Sequence, residues 1–245
     1  MDNIKKIAIV VAMDSELKLI IDSMVINSDT TDKQGFRFIQ GKLKDYNDFE
    51  IILAKSGIGK VNSAVCATKI IEKFSPDIYL SSCVCGCLNK TPGIKQGDIL
   101  ITVGTTYHDA YCGGARGQIQ NMPLTFSSWK DTVNMYKYLK KELYGGIYCC
   151  QMISGDWFVD DKTKANEIYN AMCDGDEHVY GIDMESGSIS QVCHLYNVPF
   201  VGIRIVSDTP LMEGDVPTYE DFWTNAPDTL NKILLEFFDY LKNRQ

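Results

Sequence analysis

The chain has 245 residues, 45% of them hydrophobic and 23% charged, and a formal net charge of −8. That length and apolar content fit a single domain over 1–245 with a sizeable core. The acidic balance excludes a basic nucleic-acid-binding surface, no run of Lys or Arg suggests a membrane partner, and the first apolar run is only strand-length, so neither a signal peptide nor a membrane span is expected.

Residues 5–13 are apolar and β-branched and read as a buried strand. Asp14-Ser15-Glu16 then opens a helical pattern, where acids suit the first turn, so Glu16 reads either as a dipole partner or as a catalytic carboxylate. Residues 36–42 and 49–55 read as neighbouring strands. The second leads through Gly57-Ile58-Gly59 into a helix to about residue 74. This turn has neither the phosphate-loop spacing nor a full dinucleotide fingerprint, since Asn62 occupies the third glycine position. It reads as a tight strand-to-helix turn whose N–H groups can meet a ligand, or as a bare turn.

Residues 77–82 read as a short buried strand running into Cys83-Val84-Cys85-Gly86-Cys87. The alternating cysteines follow an apolar run and have no histidine close in sequence, so packing is the favoured reading; no metal or cofactor is expected, and nine cysteines suggest a reducing cytoplasm. Pro92-Gly93 marks a turn, and a strand begins at 97–103. His108 reads as a structural hydrogen-bonding group more readily than as a base. Residues 111–125 are a loop long enough to be functional. A helix is expected over 129–144, a strand over 146–153, and a helix over 161–172. Between the last two, Trp157-Phe158 are core or a platform for a flat ring. Asp183-Met184-Glu185 stands at the mouth of another helix, and an apolar strand carries Arg204 into Ser207-Asp208. Thr218 with Asp221 resembles a capping box, Pro227 interrupts the helical pattern, and Leu230 to Leu241 form an amphipathic terminal helix.

Strands alternating with helices indicate an α/β fold with a largely parallel sheet, in which ligands sit at the carboxyl ends of strands. Glu16, Gly57–Gly59, Val84–Gly86, Phe158, Glu185 and Asp208 all follow expected strands, which places them around one pocket.

The segments AMDSE (12–16), KSGIGKVNSA (55–64), GDILITVGTTYHDA (97–110), SGDWFV (154–159), DMES (183–186) and VPFVGIRIVSDTP (198–210) resemble the 5′-methylthioadenosine/S-adenosylhomocysteine nucleosidases, in the same order and across almost the whole chain. The resemblance implies a three-layer α/β/α nucleoside phosphorylase-like fold around a twisted mixed sheet. It implies a homodimer, an adenine nucleoside as the partner molecule, and hydrolysis of its N-glycosidic bond. Asp208 would protonate N7 of the leaving adenine, with Ser207 beside it. Glu16 and Arg204 would hold or activate the attacking water. Glu185 would bind the ribose hydroxyls, with Met184 against the sugar. Phe158 would stack on adenine, and the Val159 backbone would read its edge. Ile58, Val84, Cys85 and Gly86 would complete the substrate wall. Asp183 stands where the family usually has glutamate.

These roles are chemically coherent. Adenine leaves poorly until its ring is protonated, and the sugar then develops oxocarbenium character, which divides the labour between two carboxyls as in glycoside hydrolysis. Burial is expected to raise the pKa of Asp208.

Two stretches depart from the family pattern. Val84 replaces a serine whose hydroxyl would help hold the water, and loop 111–123 is short, which opens the choice among methylthio, homocysteinyl, deoxy and hydroxyl 5′-substituents. Alternatives are a phosphate-dependent phosphorylase, against which the absence of a Gly-Asp-Pro-xx-Arg loop and an Arg-x-Gly-Ser motif argues, and a non-catalytic nucleoside-binding protein.

Overall fold

A computed structural model describes residues 4–90, 93–142, 146–175, 177–212, 222 and 227–244. Pro92, Thr218 and Asp221 lie outside the described residues. In chain order the elements are β1 (Lys6–Val11), α1 (Asp14–Asp22), β2 (Met24–Thr31), β3 (Arg37–Leu43), β4 (Tyr46–Lys55), α2 (Lys60–Phe74), β5 (Ile78–Cys87), β6 (Ile99–Tyr107), β7 (Phe126–Ser127), α3 (Thr132–Glu142), β8 (Ile147–Ser154), α4 (Lys162–Met172), β9 (Tyr180–Asp183), α5 (Ser186–Tyr196), β10 (Phe200–Asp208) and α6 (Pro227–Asn243).

The central strands are apolar on both faces because helices cover both. Ile7, Ile9 and Val11 of β1 point into one core with Leu17 and Ile20 of α1, Met135 and Leu139 of α3, and Phe237 and Phe238 of α6. Ala8 and Val10 point the other way, against Cys66 and Ile70 of α2 and Ile189 and Val192 of α5. This period-2 partition makes the three layers.

The sheet runs β10-β6-β8-β9-β5-β1-β4-β3-β2, and β10 also pairs with β5. Strands β5, β10, β6, β8 and β9 therefore close a ring, while β1, β4, β3 and β2 extend from it as an open sheet. Among the described residues five ladders are parallel and five antiparallel, so the expectation of a largely parallel sheet is corrected to a mixed one. Crossover helices enforce parallel pairing only locally, and the ring closes through antiparallel β10–β6 and β5–β9 contacts.

One strand was not expected, and two further expectations change. Strand β2 carries a mostly polar, exposed pattern, and it pairs with β3 at the sheet edge through backbone bonds and the Arg37–Asp29 ion pair. The short strand expected over 77–82 does not stop before the cysteine stretch, which is the second half of a continuous β5. Pro227 does not interrupt a helix but begins α6, where its missing N–H costs nothing.

Among the described residues no helix is long and apolar enough to cross a membrane. The nine cysteines are all free. Cys85 and Cys87 pack with Leu100, Cys150, Met152 and Val206, and burial pushes the Cys85 and Cys150 thiols up, so they behave as small apolar groups.

Candidate active site

One cavity opens over the tips of β1, β5, β9 and β10 and the turn after β8. Its wall includes Glu16, Ile58, Val84, Cys85, Gly86, Phe158, Val159, Asp183, Met184, Glu185, Ser207 and Asp208. The structure therefore brings together every expected site residue except Arg204. Sequence reasoning did not single out Ala12, Met13, Cys83 and Ile182, which also line it. Ala12 and Met13 stand in the AMDSE segment and Cys83 in the cysteine stretch, but no site role was attached to them.

Glu16 is almost fully buried at the first turn of α1. Its Oε2 accepts the N–H groups of Ala12 and Met13, each at 2.9 Å, and its Oε1 accepts that of Val84 at 3.2 Å. One carboxylate thus serves backbone donors at the helix start and faces the cavity. Burial pushes its pKa up to about 7, against the opposing pull of those N–H groups and of Arg204. The Val84 contact is made by the backbone. Its side chain packs against the Ile205–Phe222 cluster.

Arg204 lies fully buried behind the wall. Nε donates to Asp183 Oδ2 (3.1 Å), Nη1 to the carbonyls of Ser81 (2.7 Å) and Ile203 (3.1 Å), and Nη2 to the hydroxyls of Ser81 (3.0 Å) and Ser186 (2.7 Å). All five donors of the guanidinium are thereby engaged within the protein. Asp183 receives the Ser186 hydroxyl at 2.5 Å as well, and caps α5 through the Ser186 N–H. Arg204 and Asp183 thus form a buried ion pair, with Nη2 also 3.0 Å from Asp183 Oδ2.

Glu185, the N-cap residue of α5, makes no side-chain cap bond to the helix and lines the cavity. Its Oε1 accepts the N–H of Gly59 at 2.9 Å. Burial, then the charge of Asp183, raises its pKa.

Asp208 ends β10. The β10–β5 register slips between Val206 and Asp208, so Asp208 lies opposite Gly86. This bulge re-aims the carboxylate at the cavity. Gly86 makes room for it: a Cβ there would lie 3.3 Å from Asp208 Oδ2 and 3.0 Å from Ile182 Cγ2. The Ser207 hydroxyl is 2.6 Å from Asp208 Oδ1 and 3.0 Å from the Cys85 carbonyl. Its one proton can serve the ionised carboxylate or turn to the carbonyl when Asp208 carries a proton. Glu16 meets β5 at Val84 and Asp208 meets it at Gly86, two residues along the same strand, about 7 Å apart at its rise per residue.

Trp157 and Phe158 are each 53% exposed at the lip, whereas Val159 is buried beneath them. Lys164 Nζ sits 4.6 Å from the Trp157 ring centroid. His108 does not line the cavity; it is buried, its backbone N–H donates to the Ser154 carbonyl, and burial lowers its pKa.

With this geometry in place, comparison with known proteins decides the family. The phosphorylase superfamily model matches residues 6–239. The 5′-methylthioadenosine/S-adenosylhomocysteine nucleosidase of Staphylococcus carnosus is 31% identical over 240 residues, covering 96% of this chain and 100% of the relative. The chain belongs to this nucleosidase family. Among solved structures, the Neisseria meningitidis nucleosidase in complex with methylthio-immucillin-A is 28% identical, with a TM-score of 0.83 over 95% of this chain and 98% of that one. The Streptococcus pyogenes S-adenosylhomocysteine nucleosidase in complex with 5-methylthiotubericidin is 26% identical, with a TM-score of 0.84 and 98% of both chains covered.

Proposed function

We propose that the protein hydrolyses the N-glycosidic bond of 5′-substituted adenine nucleosides such as 5′-methylthioadenosine, S-adenosylhomocysteine and 5′-deoxyadenosine, releasing adenine. One observation carries the choice of water over phosphate as nucleophile. Among the described residues the cavity wall presents four carboxylates, Glu16, Asp183, Glu185 and Asp208, and no lysine or arginine. A phosphate dianion entering there would meet like charge with no cation to pair it.

Asp208 donates a proton to the leaving base, with Ser207 releasing or supporting its carboxylate as the charge changes. Glu16, on the other side of the β5 tip, takes the proton of the attacking water. Glu185 holds the sugar hydroxyls through its remaining acceptor capacity and tightens as the sugar gains positive character. Phe158 covers the base, Met184 packs on the sugar, and the apolar Met13 and Ile58 lie where a 5′-substituent can contact them. Arg204 serves as a positioning residue that fixes Asp183, and through it the start of α5 and Glu185.

The test is adenine release from purified protein with and without inorganic phosphate. Turnover in phosphate-free buffer with a free sugar product is expected; strict phosphate dependence with a sugar 1-phosphate product would replace hydrolysis by phosphorolysis. A panel of nucleosides differing at the 5′ position then ranks the substituents.

The free thiols suit a cytoplasmic setting. The protein acts as a homodimer: α2 exposes Val61 and Val65 one turn apart, and Leu195 and Tyr196 are exposed at the end of the adjoining α5.

A further inference from the structure

Helix α2 begins at Lys60 with Gly59 as its N-cap, and it has no acid in its own first turn. Its leading N–H groups nevertheless all need acceptors. Two are supplied from distant loops. Gly59 N–H donates to Glu185 Oε1 at 2.9 Å, and Lys60 N–H donates to Asp156 Oδ1 at 2.7 Å. The same lysine reaches a third loop through its side chain, with Nζ 2.7 Å from Asp109 Oδ2. Asp109 Oδ2 in turn accepts the N–H of Asp156 at 2.8 Å. The turn after β4, the turn after β6 and the turn after β8 are thus tied in a closed circuit that connects through the Gly59 N–H to the cavity carboxylate Glu185, with Lys60 Nζ also 5.4 Å from the Tyr107 ring centroid.

The circuit constrains the Gly59–Lys60 peptide from both sides. Gly59 has φ 92°, and a Cβ on it would lie 3.1 Å from Asp156 Oδ1. That conformation directs its N–H at Glu185 while the next N–H points at Asp156. The positive end of the α2 dipole adds to both contacts. Lys60 and Asp109 retain only 28% and 27% side-chain exposure, so their pair is partly shielded from water.

We propose that Lys60, Asp109 and Asp156 are positioning residues that set the Glu185 carboxylate for the sugar hydroxyls. This rests on the reading of Glu185 as the sugar clamp. Loosening the circuit frees the Gly59 N–H to swing away and lets Glu185 relax, so hydroxyl recognition suffers while the base-side acid Asp208 is untouched.

The experiment compares kcat/KM for 5′-methylthioadenosine with that for its 2′,3′-dideoxy analogue, and takes the ratio as the measure of hydroxyl recognition. Lys60→Met and Asp156→Ala are expected to lower that ratio about fivefold, in the range of coupling between contacting groups. Asp156→Asn is expected to retain it, because the amide oxygen still accepts the Lys60 N–H. A purely structural role would lower both substrates equally and leave the ratio unchanged, which overturns the proposal. Glu185→Gln run in parallel separates the two levels. If Glu185→Gln abolishes the preference while Lys60→Met and Asp156→Ala keep the wild-type ratio, the clasp is wrong and the sugar clamp stands. If Glu185→Gln itself leaves the ratio unchanged, the sugar-clamp reading fails and takes the clasp with it.

Discussion

Asp208 and Glu16 are both carboxylates at strand tips, yet their surroundings differ in kind. Glu16 takes three backbone N–H groups in a nearly closed niche, whereas Asp208 has the Ser207 hydroxyl beside it and Gly86 beneath. The first arrangement suits a base that must ionise; the second suits an acid that gains and loses a proton. Asp208→Asn keeps the shape and removes the transferable proton. Its kcat is expected to fall about 10²–10⁴-fold, the usual worth of a general acid, with nucleoside binding retained when titrated by calorimetry. Loss of binding together with turnover would assign Asp208 to recognition. Full activity would remove it from the mechanism. For Glu16 the pKa of about 7 puts the ionised form on the alkaline side of neutrality. The kcat/KM profile should therefore rise with pH through an apparent pKa near that value, one belonging jointly to Glu16 and Glu185, whose pKa is also raised. A pH-independent profile between about 5.5 and 8 would separate the titration of these groups from catalysis.

At the scale of elements, the site depends on where β10 slips against β5. The sequence showed an apolar strand ending in Ser207-Asp208, and family resemblance attached a role to its last residue. The bulge that turns Asp208 onto Gly86 had no local signal, because a register shift is a property of two strands. For the same reason ring closure through β10, β6 and β5 was not legible, whereas β1, α1, β4, α2 and β8 were, since their apolar periods are set by their own layer contacts. Edge strand β2 escaped notice because its pattern is mostly polar. Arg204 was visible as an oddity in an apolar run, but only the fold showed that its donors are consumed by Ser81, Asp183, Ser186 and Ile203 instead of facing the cavity. The bulge makes a prediction of its own. Gly86→Ala introduces a methyl 3.0 Å from Ile182 Cγ2 and 3.3 Å from Asp208 Oδ2, so the carboxylate must give way by a few tenths of an ångström. Displacements of that size cost about tenfold in kcat, and the loss should exceed any change in KM. An equal loss in both would mean that Gly86 serves substrate binding and not the placing of the acid.

At the scale of the whole molecule, the proposed dimer has a direct check. Light scattering should give about twice the 27.5 kDa of the chain, and Val61→Glu with Val65→Glu should shift it to monomer; an unchanged mass would move the interface elsewhere. The same molecule also buries carboxylates at a cost in stability that pH should reveal. In the unfolded chain Glu16 loses its proton near its ordinary value of 4.5, while in the fold it keeps the proton to about 7. Between those values the native state binds more protons than the unfolded state, so stability falls as pH rises. The stabilising contribution is complete below about 4.5 and gone above about 7, and the interval corresponds to about 3 kcal/mol. Glu185, raised by burial and by Asp183, acts in the same direction. Urea unfolding at about pH 5 and about pH 7.5 should therefore show wild type losing stability toward the higher pH. Glu16→Gln should lose less over that interval, even though its amide cannot accept the Val84 N–H and its stability at the lower pH falls. Identical pH slopes for the two proteins would show that Glu16 ionises alike in both states, contrary to its burial. An apolar residue at the start of α1 would remove this pH dependence but would leave the N–H groups of Ala12, Met13 and Val84 without their acceptor, so the carboxylate serves the helix start as well as the chemistry proposed for it.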